Sequence, residues 1–148
     1  VSVGEYDYVV EAAKACGVEQ RFHGIRQKPG KPLFFGSRGE QLLFGLPVNP
    51  ASALSCFYLY VATVLEELMH KKAQIQKISA PITGDYNKKV GLTHFLKGNY
   101  NGSTVTALHA QESYRLQSFA QANCLIVLDE NTAGCIAGEL VDIHLLHN

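Results

Sequence analysis

In the stretch EYDYVVEAAKAC, apolar side chains at positions 9, 10, 12, 13 and 16 recur at helical spacing, and Gly17 stands where a glycine commonly ends a helix. This predicts a first helix over residues 5–16. The runs RFHGIRQ, PLFFG and QLLFGL follow, rich in aromatic and branched residues and separated by Gly or Pro, as expected of parallel-type strands in a sheet covered by helices. Then Leu54, Phe57, Val61, Leu65 and Leu68 recur at intervals of three or four behind Asn49-Pro50. The basic HKK at 70–72 suits the negative end of that second helix.

Beyond residue 75 the period changes to two. LVDIHLL alternates Val141, Ile143 and Leu145 with Asp142 and His144, and HFLKGNYNGSTVTAL carries Asn101-Gly102 between two strand-like runs, a hairpin signal. CLIVLD reads as a fully buried strand. Five or six strands in about 70 residues favour a small barrel or sandwich, because closure removes exposed edges. The expected architecture is thus an α/β segment, residues 1–75, followed by a small all-β barrel-like domain, residues 76–148, with the boundary near HKKAQIQK. The sequence has no internal repeat and no low-complexity tract.

With 148 residues, 47% hydrophobic and 18% charged, the chain is globular in composition. Thirteen cations balance 13 anions, so no overall field would hold it on nucleic acid or on an anionic membrane. No run approaches the roughly 20 apolar residues of a membrane span, and no membrane association is expected. The chain opens Val-Ser-Val-Gly, without the charged and apolar regions of a signal peptide, and is read as beginning mid-protein. Cys16, Cys56, Cys124 and Cys135 form no Cys-x-x-Cys pair and have no His at a ligand interval, so reduced thiols and a cytoplasmic setting are expected. The six histidines share no ligand spacing, and the tyrosines do not interleave with a basic stripe as an RNA-binding sheet requires.

Candidate chemistry lies between Glu19 and Glu40, where no acidic residue occurs but Arg26, Lys28, Lys31, Arg38 and His23 do. Pro-Gly between Lys28 and Lys31 implies a tight turn, and a glycine lets a ligand approach the backbone, so two ammonium groups can converge on one anion such as a phosphate. Asn49 and Pro50 suit the cap and first turn of a helix, whose N–H groups at Ala51 and Ser52 favour the same anion. Asp7 either complements the dipole of the first helix or holds Mg²⁺ beside bound phosphates. The plain alternatives are a solvated turn and an ordinary cap.

The segments VSVGEYDYV, KPGKP and FGLPVNPASAL resemble, in order and spacing, three signatures of the molybdopterin molybdenumtransferases, the MoeA-like molybdenum insertases that also form the E domain of gephyrin-like proteins. SFAQANCLIVL is similar to a further family segment, so the resemblance covers nearly the whole chain, as a C-terminal fragment. It implies molybdenum cofactor biosynthesis: molybdate is inserted into adenylylated molybdopterin with release of AMP, assisted by Mg²⁺, in an enzyme expected to be a homodimer. It assigns Asp7 to metal and phosphoanhydride, and Lys28 and Lys31 to phosphate or molybdate oxygens. Ser2, Gly4, Gly30, Pro47, Asn49, Pro50 and Ser52 become substrate-binding residues. Such hydrolysis needs charge neutralisation and alignment more than a strong nucleophile.

Val48 departs from the family, which has glycine there; a left-handed backbone at that position would strain valine. The family's N-terminal half is absent, so the chain alone is expected to be inactive and to self-associate or to pair with the missing half. The alternatives are a pterin- or nucleotide-binding module without catalysis, and a structural region for dimer or partner contacts.

Overall fold

The computed structural model of the chain describes residues 1, 8–71, 75–109 and 117–146. Helix α1 (Val9–Ala15) ends as its glycine dictates. Gly17 adopts φ +76°, its N–H donates to Lys14 O (2.9 Å), and Val18 N–H donates to Ala13 O (3.0 Å), closing the orphan carbonyls of the last turn. The residues expected to begin this helix, 5–7, lie outside the described residues.

Strands β1 (Glu19–His23), β3 (Phe34–Arg38) and β4 (Gln41–Gly45) form one sheet in the order β1-β3-β4, and both pairings are antiparallel. This corrects the parallel expectation. Only Gly39 and Glu40 separate β3 from β4, and a two-residue loop joins antiparallel neighbours, whereas a parallel crossover needs a dozen or more residues. Cross-strand rings hold one face: Phe22 to Phe35 at 5.7 Å and Phe35 to Phe44 at 4.7 Å. On the other, Phe34 is buried with Val1 and Ala13 against Val10 and Val18.

A continuous 19-residue helix runs Pro50–Leu68: α2 (Pro50–Cys56), a π-helical turn (Phe57–Val61) and α3 (Ala62–Leu68). By length and composition it is long and apolar enough to cross a membrane, contrary to the expectation that no segment approaches a span. The face it buries at its start is made of small residues, Ala51, Ser52, Ser55 and Cys56, which allow close backbone approach. Leu54, Tyr58 and Leu59 pack against Phe119, Leu125 and Leu146 of the second half. Phe57, Leu65, Leu68 and Met69 remain exposed.

The second half is a closed sheet. Strands β5 (Gln76–Pro81), β7 (Thr93–Tyr100), β8 (Val105–Ala107), β9 (Cys124–Leu128) and β11 (Leu140–Leu145) are hydrogen-bonded as β8-β7-β9-β11-β5. A bridge between Ile82 and Val105, with Thr83 N–H donating to Val105 O (2.9 Å), returns β5 to β8. Two-residue strands β6 (Tyr86–Asn87) and β10 (Gly134–Cys135) pair beside it, and a short helix α4 (Gln117–Ala120) precedes β9. Leu96, Val105, Cys124, Ile126, Val141 and Ile143 fill the interior, as the period-two pattern requires. The Asn101-Gly102 hairpin forms between β7 and β8: Gly102 adopts φ +100° and Asn101 Oδ1 accepts from the N–H groups of Ser103 and Thr104.

Strand β2 (Gln27–Lys28) joins the two halves. It leaves the first sheet and pairs in parallel with β7, Gln27 opposite Thr93 and Lys28 opposite His94. That register carries the Lys-Pro-Gly-Lys turn onto the barrel.

Candidate functional site

The Lys-Pro-Gly-Lys turn is clamped from below by buried polar groups. Gln27 is buried, and its Nε2 donates to Pro29 O (2.8 Å) while the Tyr60 hydroxyl donates to its Oε1. The Lys28–Pro29 peptide is cis, and Gly30 adopts φ +94° with Leu33 N–H donating to its carbonyl (3.1 Å). Cys56 of α2 lies directly beneath: a Cβ on Gly30 would meet its Sγ more closely than real Cβ atoms approach anything. Burial pushes the Cys56 thiol up to about 12, so it stays a neutral filler and no nucleophile. Burial, and then Cys56, likewise push Tyr60 up to about 12, which keeps it the donor to Gln27. Tyr60→Phe removes that donor and is expected to lower stability by about 1 kcal/mol, read as a shifted urea midpoint at constant slope.

Above the turn opens a cavity of about 480 Å³. Lys28, Gly30, Lys31 and Ser52 line it from the first half, with Gln27, Pro29 and Pro32. Tyr86, Leu92, His94, Phe95 and Leu96 line it from the barrel. One wall is therefore cationic and the other largely apolar. No Asp or Glu lines it among the described residues.

Of the residues expected at the site, the structure brings Lys28, Gly30, Lys31 and Ser52 together. Asn49 holds the cap position before α2 with Pro50 at its first turn, but the Asn49 side chain makes no capping hydrogen bond. Pro47, Asn49 and Pro50 sit on the approach to Ser52 and do not line the cavity. Ser2, Gly4 and Asp7 lie outside the described residues. Val1 stands beside the Leu-Pro-Val-Asn-Pro loop, its carbonyl accepting from Val48 N–H (3.1 Å). Val48 is exposed and its φ is not positive, which removes the strain expected of a glycine substitute.

The acid-free basic span does not act as one patch. Arg26 pairs with Glu130 (3.3 Å), and Arg38 donates to Cys16 O (2.9 Å) at the end of α1 and to Gln41 Oε1. His23 is exposed and rests edge-on against Phe34. Lys28 and Lys31 are the cations of this span that line the cavity. Sequence reasoning missed Gln27, Tyr86 and His94. The signal for Gln27 and His94 was the β2–β7 register, and Tyr86 comes from β6 beside it; no local pattern displays either.

Mg²⁺ requires hard oxygen ligands, carboxylates above all. The described cavity offers ammonium, imidazole, amide and hydroxyl groups, and no cluster of three or more metal-ligating side chains occurs among the described residues. These residues do not fit the ion.

Two family models match in succession: the probable molybdopterin binding domain over residues 1–70 and the MoeA C-terminal region (domain IV) over residues 79–146. A molybdopterin molybdenumtransferase of Haemophilus influenzae is 36% identical over 158 aligned residues, covering 99% of this chain and 39% of the relative. One from Staphylococcus epidermidis is 33% identical over 150, covering 98% of this chain and 36% of the relative. A crystal structure of the molybdopterin biosynthesis moeA protein from Pyrococcus horikoshii superposes with a TM-score of 0.81 at 26% identity, over 99% of this chain and 36% of that one. The chain thus spans a little over a third of the length of the curated relatives it matches.

Proposed function

The chain belongs to the MoeA-like molybdopterin molybdenumtransferase family, and on that premise we propose that its cavity binds the phosphate or molybdate oxygens of a molybdopterin substrate during molybdenum cofactor biosynthesis. The observation that carries this reading is the convergence of Lys28, Lys31 and Ser52 on one cavity that no carboxylate lines among the described residues. Each ammonium offers a charge-assisted hydrogen bond to an oxyanion, and the Ser52 hydroxyl is a further donor. Tyr86, Phe95 and the leucines give a ring system an apolar face to lie on.

The reaction of the parent enzyme, in this reading, inserts molybdate into adenylylated molybdopterin and releases AMP. Lys28 and Lys31 offset charge on the oxygens. Asp7 remains the residue proposed to engage Mg²⁺ and the phosphoanhydride. No step is assigned to the ion, because the described residues do not fit it. Homodimerisation of the parent protein belongs to the same proposal.

Titration of the full-length protein and its Lys31→Ala variant with adenylylated molybdopterin tests it. Losing one charge-assisted contact costs about 1.5–3 kcal/mol, or about 10- to 150-fold in affinity. Equal affinity and equal rate would reduce the turn to a solvated loop.

A further inference from the structure

His94 is the least expected group in the cavity wall. It is 8% exposed, lines the cavity, and its Nδ1 has no hydrogen-bond partner although the atom is fully buried. A buried imidazole nitrogen without a partner is costly, and a ligand in the adjoining cavity can supply the missing bond. β7 holds the ring in place: His94 stands opposite Lys28 on β2 and opposite Leu128 on β9, and its ring meets Tyr86 edge-on at 6.3 Å.

We propose that His94 is a third contact for the oxyanion bound by Lys28 and Lys31, and that it takes up a proton as the anion binds. This deepens the reading above and rests on it. The groups around the ring set the direction. Lys28 on β2 and Lys88 beyond β6 are cationic, and Tyr86 on β6 and Ser52 on α2 are neutral. Lys31 faces the same space, while Lys88 Nζ is tied to Leu92 O (3.0 Å). Burial first, then Lys28 and Lys88, hold the imidazole below its ordinary range, which disfavours its charged form. An oxyanion reverses both influences: it offsets the lysine charges and gives the imidazolium an acceptor. The proton comes from solvent and no covalent bond changes.

The sign follows from linkage. A ligand that raises a pKa binds more tightly as pH falls through the bound-state value, by at most about tenfold per pH unit for one proton. Molybdate is a suitable probe, being a dianion throughout pH 6–8. Calorimetric titration of the full-length protein with molybdate, in two buffers of different ionisation enthalpy, should show uptake of about half a proton at pH 7. Affinity should rise about three- to tenfold from pH 8 to pH 6. His94→Gln and His94→Asn should lose both the proton uptake and the pH slope, so that the unaltered protein outbinds them by a factor that grows as pH falls from 8 to 6. The buffer comparison on the unaltered protein needs no variant to fold. Molybdate bound without proton uptake, or variants that keep the slope, would overturn the role of His94 and leave the lysine site standing. Absence of molybdate binding at every pH would overturn the oxyanion site itself, and this inference with it.

Discussion

Truncating Ile126 to alanine is expected to lower the free energy of unfolding by about 2–5 kcal/mol, a large fraction of what an ordinary domain possesses. Ile126 is fully buried at the centre of β9, between Leu96 of β7 and Ile143 of β11. Its side chain also lies over Gly98, where an added Cβ would come within 2.9 Å of its Cδ1 and Cγ1. Neighbours on three sides belong to hydrogen-bonded strands of a closed ring, so the site cannot collapse to refill the lost volume. The cost therefore combines lost transfer energy with an unrelieved cavity. Ile126→Val, which removes one methylene, should cost only about 0.5–1.5 kcal/mol. Urea unfolding checks both: the midpoint should fall in that order while the slope stays constant. A loss below 1 kcal/mol for the alanine variant would mean that β9 is not the centre of the core.

The barrel was legible in the sequence because its signal is local and periodic. Val141 and Ile143 point inward while Asp142 points outward, and Asn101-Gly102 announces the turn between β7 and β8. The first sheet was less legible. Short apolar runs specify strands without specifying partners, and there the two-residue loop at Gly39-Glu40 carried the information that apolar content did not. Helix Pro50–Leu68 was readable as a helix, yet the face it buries at its start is the small-residue one, chosen by close approach to the Lys-Pro-Gly-Lys turn.

Of the candidate site, the wall supplied by one continuous segment was expected to come together, and Lys28, Gly30, Lys31 and Ser52 do line one cavity. The other wall could not. His94 reaches the cavity through a parallel pairing between residues some 65 positions apart, Lys28 with His94 and Gln27 with Thr93, and Tyr86 of β6 stands beside it, its ring edge-on to the imidazole. For the same reason Arg26 looked like a free cation. Its partner Glu130 is about a hundred residues away along the chain and adjacent in space. Electrostatic reasoning from a sequence counts charges along a line, whereas screening and pairing depend on distance in the fold.

Gly30→Ala should damage stability and binding together, unlike the loss of Lys31. The backbone at Gly30 has φ +94°, a conformation that costs an L-residue about 1–3 kcal/mol. The new methyl would also press on Cys56 Sγ and lie 2.8 Å from Gln27 Nε2, the atom that holds Pro29 O. Overpacking of this kind costs about another 1–3 kcal/mol. Relief requires Gln27 or α2 to move: a shift of Gln27 releases Pro29 O and disturbs the turn between Lys28 and Lys31, and a shift of α2 carries Ser52 with it. A lowered melting temperature should therefore accompany weaker binding of adenylylated molybdopterin, by at least the factor expected for Lys31→Ala, whereas Lys31→Ala should leave the melting temperature nearly unchanged. Adding Cys56→Ala to Gly30→Ala removes the sulfur contact and leaves the backbone strain, so the pair should be less destabilised than the sum of its parts, the mark of residues in contact. Strict additivity, or a Gly30→Ala protein that melts like the parent, would show that the turn does not rest on α2 and that the floor of the cavity is built some other way.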